Sequence, residues 1–281
     1  MKIFVAGCFH GKFPKKLVKI ANRCDLVLST GDLGGNEKLR KMIFKNFTPG
    51  GWIDAVGKKK AKSMLMVDYN SGINIMHELS KLKTQVYTID GNWDFTDTKY
   101  EKKTLGLNLK NYPSTMKKEK NIKFLGHGIK KIRGLNIYSH GGLMFATIYS
   151  KDYGDKKNKS LFDKARQKRY FEYHIKQNKE LFKRKASNLD IFIAHCPPYK
   201  IFDEVIYKGK NPMNGKHVGF IGYNNYIKKY HPKLFICGHM HEHQGIKKLD
   251  KTTILSHGAA QDGKAAIIDW NNRKFKIRLI K

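Results

Sequence analysis

The stretch KLFICGHMHEH, residues 233–243, joins a short apolar run to a turn with histidines at i and i+2. The run has the length and content of a buried strand. Two imidazoles so spaced at a strand end can both reach into one loop pocket. The same arrangement, an apolar run followed by a polar turn, recurs along the chain. KIFVA (2–6) leads into GCFHG, with Cys8 and His10. DLVLST (25–30) leads into GDLGG, with Asp32. QVYTID (85–90) leads into GNWD, with Asn92 and Asp94. LDIFIA (189–194) leads into HCPPY, with His195. Helix-like segments lie between these runs: PKKLVKIANR (14–23), NEKLRKMIF (36–44) and the long stretch 58–82, whose apolar residues fall at helical spacing. Strands alternating with helices specify an α/β architecture. In a wound sheet the carboxyl ends of the strands line one crevice, so metal-capable residues distant in sequence are expected to converge there.

Composition narrows the class. The chain has 281 residues and 40% hydrophobic content, enough for one large core. A single domain over 1–281 is expected, with helical insertions near 58–82 and 158–186. In the second insertion Phe162, Tyr170, Phe171, His174 and Leu181 could form one packing stripe. The tail from Thr252 onward reads as three antiparallel strands. No apolar run approaches the roughly 18 residues that span a bilayer, and the opening run is too short for a signal-peptide core. A cytoplasmic protein without a membrane partner is expected. The four cysteines are then thiols rather than a disulfide framework. The formal charge is +33, yet only eight of the 56 basic residues are Arg. A lysine excess spread along the whole chain fits a solvated surface, and leaves room for an anionic substrate drawn in by charge.

The ordered set of Cys, His, Asp and Asn at strand ends suits a two-metal hydrolase. Such a site activates water and holds a phosphoryl group for in-line attack. A carboxylate such as Asp32 can bridge two ions, and imidazoles and an amide oxygen complete the shells without over-neutralising them. The series C-x-H, GD, GN-x-D, H-x-P-P and GH-x-H resembles the calcineurin-like metallophosphoesterase family, in particular its small prokaryotic branch. The resemblance implies a four-layer α/β/β/α sandwich of two mixed sheets flanked by helices. It implies one ion held by Cys8, His10, Asp32 and His241, and a second held by Asp32, Asn92, His195 and His239. It implies a metal-dependent phosphoesterase with two divalent ions (Mn, Fe or Zn before Mg), most readily a phosphodiesterase. The partner would be a phosphate ester, with a nucleotide or nucleic acid among the candidates.

Two positions depart from that family. Cys8 stands where a metal-binding carboxylate is usual; lariat debranching enzymes of the same superfamily also begin C-x-H. A thiolate ligand would favour Zn²⁺ or Fe²⁺, whereas a packed thiol would leave the first ion weakly held. Trp93 replaces the histidine of the usual GNH motif, and indole cannot protonate a leaving group near neutral pH. Trp93 either stacks on the substrate or walls a pocket. Proton-transfer help must then come from His140, His217 or metal-bound water. With Asp32 and Asn92, these two histidines complete the candidate catalytic set. Asp94 could orient Asn92 or a ligating histidine. A non-catalytic scaffold on the same fold is the main alternative, but such a scaffold tends to lose several ligands, and here only one position is substituted. A lariat-debranching activity is a narrower alternative that rests on Cys8.

Overall fold

The computed structural model describes residues 1–46, 51–142, 172, 175–183, 186–206, 214–272 and 274–281. The chain divides into two compact units, Met1–Leu125 with Ala259–Lys281, and Gly126–Gly258.

The first unit is built on strands β1 (Lys2–Ala6), β2 (Leu26–Ser29), β3 (Val86–Thr88), β4 (Ile122–Phe124), β11 (Ala265–Asn271) and β12 (Lys274–Ile280). Their order is β12-β11-β1-β2-β3-β4. β1 to β4 run parallel, with Ile3 opposite Leu26 and Val27 opposite Val86. β11 lies antiparallel to β1, and β12 antiparallel to β11. Residues 3–6 and the whole of β2 are closed from solvent on both faces, which is why these strands read as unbroken apolar runs. The helices are α1 (Lys15–Ala21), α2 (Glu37–Lys45), α3 (Gly51–Val56), α4 (Lys58–Ser80), α5 (Lys99–Leu105) and α6 (Tyr112–Met116). Asn36 caps α2 by accepting from the N–H groups of Lys38 and Leu39. Ile75, Met76 and Leu79 seat α4 in one core with Phe4, Val27, Val86 and Leu17. Burial of each such side chain contributes roughly 1.5–3 kcal/mol.

The second unit holds β5 (Gly128–Ile132), β6 (Leu135–His140), β7 (Ile191–Ala194), β8 (Leu234–Cys237), β9 (Gln244–Leu249) and β10 (Thr252–His257), in the order β5-β6-β7-β8-β10-β9. β6, β7, β8 and β10 are parallel; β5 and β9 are antiparallel edges. Helices α7 (175–182) and α8 (Ile221–Tyr230) belong to this unit. Its core is aromatic: Phe192 meets Phe235 at 4.7 Å and Tyr226 at 5.2 Å between ring centroids. The Tyr138 hydroxyl donates to the Leu181 carbonyl.

The architecture is therefore α/β with two mixed six-stranded sheets and flanking helices, as expected. The helix at 58–82 is present as α4. Of the stretch 158–186, Phe162, Tyr170, Phe171 and His174 lie outside the described residues, while Leu181 is buried in the core. The tail differs from the sequence reading. β10 pairs parallel with β8 and antiparallel with β9, and of the three tail strands only β11 and β12 pair with each other. A 3₁₀ turn over Ala260–Asp262 links β10 to β11, so the GAAQDG segment carries the chain into the other sheet instead of folding it back on its neighbour. None of the four cysteines is joined in a disulfide. No helix among the described residues is long and apolar enough to cross a membrane.

Candidate metal centre

In the first unit Cys8, His10 and Asp32 follow β1 and β2, and Asn92 follows β3. Cys8 (φ 55°), His10 (φ 43°) and Asp32 (φ 57°) all occupy the left-handed region. Residues with a side chain adopt it at a cost, and such strain concentrates at functional sites. The cost is met by a backbone zipper between the two loops. Cys8 N donates to Gly31 O at 2.8 Å, Phe9 N to Asp32 O at 2.8 Å and Gly11 N to Leu33 O at 2.8 Å. Close approach accounts for the glycines of the GD and GN motifs. A Cβ on Gly31 would lie 2.2 Å from Gly91 N, and one on Gly91 would lie 2.1 Å from Asp32 Oδ1.

Asp94 does not orient Asn92 or a histidine through any described hydrogen bond. Its carboxylate accepts from three backbone N–H groups, of Asp32 (2.8 Å), Leu33 (2.8 Å) and Gly91 (2.8 Å). It thus clamps the loop that carries Asp32. Burial and the nearby Asp32 charge push the Asp94 carboxyl upward, and the three donors oppose that shift. Trp93 contributes through its backbone: its N–H donates to Asp32 Oδ1 at 2.9 Å, while its indole is half-buried. Asp68 of α4, invisible to motif reading, is 1% exposed, and its Oδ1 has no hydrogen-bond partner among the described residues. Burial first, then the charges of Asp32 and Asp94, raise it to about 7.

His10 Nδ1 lies 3.2 Å from the Gly34 carbonyl, which can only accept, so the proton sits on Nδ1. The lone pair of Nε2 then faces Asp32 Oδ2 at 3.6 Å. Two electron-rich atoms so placed call for a cation. Cys8, wholly buried, adds a thiol to the same pair of loops.

The second unit presents its own pair. His195 follows β7 and is wholly buried; His239 follows β8 with φ 65°. Gly238 N donates to His195 O at 2.9 Å, joining the two turns. His239 Nδ1 and His195 Nε2 approach to 3.2 Å. That separation matches two nitrogens on one tetrahedral ion, about 3.3 Å for bonds of about 2.0–2.1 Å. His241 follows, half-buried. Both donor sets therefore fit divalent metals: one imidazole nitrogen with a carboxylate and a thiol in one unit, paired imidazoles in the other.

The two histidines expected to handle protons differ sharply. His140 is wholly buried, its Nδ1 held at 2.9 Å by the Tyr223 hydroxyl. Burial, and then the charge of His127 stacked on it, push it down to about 3. His217 is part-exposed, and its Nδ1 lies 2.8 Å from Asp203 Oδ1. Asp203 and Tyr199 escaped the sequence reading; an acidic residue shortly after the HCPPY turn was the available signal. His243 is structural, bonding the Glu204 carbonyl at 2.7 Å.

The sequence matches the calcineurin-like phosphoesterase family over residues 1–243, and the chain belongs to that family. It is by class a metal-dependent phosphoesterase. Among solved structures, one crystal structure shares 18% identity at a TM-score of 0.62, covering 100% of this chain and 99% of that one. A dimetal phosphatase from Danio rerio shares 8% identity at a TM-score of 0.50, with 100% and 96% covered. The protein TT1561 of Thermus thermophilus shares 13% at 0.49, with 99% and 97% covered. At such identities the first two likenesses concern the fold alone. A search of curated proteins found no match.

Proposed function

We propose that the chain hydrolyses phosphodiesters at a dinuclear centre, with Cys8, His10, Asp32 and His241 holding one ion and Asp32, Asn92, His195 and His239 the other. The observation that carries this reading is the facing of donor atoms within each unit, His10 Nε2 with Asp32 Oδ2 and His195 Nε2 with His239 Nδ1. Family membership supports joining the two sets in one centre. Bound ions of this kind supply a nucleophile at neutral pH and offset charge on the phosphoryl group. The chain's own residues do the rest. Asp94 and the Trp93 N–H fix the Asp32 turn and its carboxylate, and the strained turns pre-set the ligands. A thiolate at Cys8 favours Zn²⁺ or Fe²⁺ over Mg²⁺.

Trp93 supports a diester. Its backbone N–H meets Asp32, and its half-buried side chain replaces the imidazole that the family usually has at this position. A monoester dianion loses a polar partner there. A diester carries one charge fewer and brings a second organic group, and an indole face suits a base or aryl ring. A nucleotide or nucleic acid fits that requirement.

The test is protein purified without chelator, with metal stoichiometry measured beside hydrolysis of bis-p-nitrophenyl phosphate and p-nitrophenyl phosphate. Two ions per chain and a kcat/KM at least about tenfold higher for the diester, a preference of about 1.4 kcal/mol, are expected. A monoester preference would sink the diester reading. Absence of hydrolysis by the two-ion protein would favour a binding scaffold.

A further inference from the structure

We infer that His217, held by Asp203, delivers the proton to the departing oxygen, and that Asp203 is its positioning residue; this rests on the phosphoesterase reading above.

The GNH histidine is absent, which leaves His140, His217 or metal-bound water to supply the leaving oxygen's proton. His140 does not suit. It is wholly buried, its Nδ1 is engaged by Tyr223, and burial strongly disfavours its charged form. His217 has the opposite setting. Its Nδ1 donates to Asp203 Oδ1 at 2.8 Å, which leaves Nε2 at the far edge of a part-exposed ring. Nε2 has no hydrogen-bond partner among the described residues.

The support behind His217 is built, not incidental. Asp203 is 1% exposed. Its Oδ2 accepts from Lys200 N at 2.8 Å and Gly219 N at 2.9 Å, so the carboxylate is fixed before it meets the imidazole. The groups facing His217 are Asp203, the edge-on ring of Tyr199 at 5.9 Å, and Glu204, whose backbone bridges to it. Lys200 Nζ lies 5.7 Å from the centre of the Tyr199 ring. The Tyr199 hydroxyl is shut from solvent and has no hydrogen-bond partner among the described residues.

The cluster is also tied to the metal ligands of its own unit. Tyr199 and Asp203 lie on the segment that follows His195. Met240, between His239 and His241, packs with Val218, the neighbour of His217, and with Val205. Phe220 N donates to Pro197 O at 3.0 Å, and Phe220 pairs with Pro198 in a short bridge. His217 therefore rides on a loop braced directly against both histidine turns.

In the step proposed, water attacks phosphorus and the bond from phosphorus to the leaving oxygen breaks. The attacking water gives up one proton to solvent, and His217, reacting as the imidazolium with Nδ1–H on Asp203, passes its Nε2 proton to that oxygen, which departs as an alcohol. The neutral imidazole regains a proton from solvent.

The experiment compares the full chain with His217→Gln and Asp203→Asn, each checked for metal content and melting temperature. Substrates are an alkyl p-nitrophenyl diester, with a good leaving group, and a dialkyl-type diester such as a dinucleotide, with a poor one. His217→Gln should lose about 10²–10⁴-fold in kcat on the poor leaving group, far less on the activated one, with KM little changed. Asp203→Asn should show the same split, weaker. Equal losses on both substrates, or none, with metals retained, would overturn the inference while leaving the phosphoesterase reading intact. If His217→Gln failed to fold, the same split in Asp203→Asn would still support the inference, and its absence would overturn it. An inactive, fully metallated wild-type chain would overturn both readings.

Discussion

Replacing Asp94 should loosen the metal centre without touching a ligand. Its carboxylate is the sole described acceptor for three backbone N–H groups, each at 2.8 Å. Oδ2 serves Asp32 and Gly91, and Oδ1 serves Leu33. In Asp94→Asn the amide oxygen can keep the pair at Oδ2, while the NH₂ group turns towards Leu33 N–H. One charge-assisted bond is lost, about 1.5–3 kcal/mol. Asp94→Ala strands all three donors. At the low end of that range, because burial and Asp32 already oppose the Asp94 charge, the loss is about 4–5 kcal/mol. That approaches the whole stability of many domains, about 5–15 kcal/mol. Urea unfolding of metal-free protein should therefore rank wild type above Asp94→Asn and Asp94→Asn above Asp94→Ala, with the alanine variant marginal. Metal titration of Asp94→Asn should show weakened binding at the ion sites that share Asp32. An Asp94→Ala protein within about 0.5 kcal/mol of wild type, and binding metal normally, would refute the clamp.

Cys8→Ser should lower occupancy of one ion and spare the other, and Cys8→Asp should restore activity with a shift towards Mn²⁺ or Mg²⁺; metal analysis showing unchanged content in Cys8→Ser would make Cys8 a packed thiol. Trp93→His should raise kcat/KM on monoesters relative to diesters by about tenfold, read from the same two nitrophenyl esters; an unmoved ratio would detach Trp93 from substrate choice. Asp68, raised to about 7 from 3.8, holds its proton more tightly folded than unfolded. Its stabilising effect is thus complete below about pH 4 and is lost as pH rises to about 7, at up to about 1.4 kcal/mol per pH unit. Asp68→Asn should flatten that slope in metal-free protein, and identical pH profiles would remove the assignment.

The strand ends were legible because each motif follows its own apolar run, and such runs with helical links leave few alternatives to a wound sheet. Cys8, His10, Asp32, Asn92, His195, His239 and His241 could all be placed at strand ends that way. Partner choice was less legible. Local turn signals suggested an antiparallel tail, yet β10 takes its place from β8, with β9 lying between them in the chain, and no local pattern encodes that pairing. The short helices α3, α5 and α6 were missed because so few residues carry too little periodicity. Asp94 was legible as a supporting residue, but its partners were not: they include backbone N–H groups on a loop far earlier in the chain. Asp203 was missed because its role depends on His217, Lys200 and Gly219 gathering around it.

The pairing of β11 with β1 has a consequence for how the chain assembles. Ile3 registers with Ile268, so one of the two neighbours of β1 is made only after the whole of the other unit. The unit of Gly126–Gly258 is continuous and can close as soon as it is synthesised. The other unit must hold β1 to β4 with one long edge open until residues 259–281 arrive. Such widely separated contacts slow folding, and an open apolar edge invites pairing with another chain. Removing β11 and β12 should thus harm yield through aggregation during synthesis, although it deletes none of the proposed ligands.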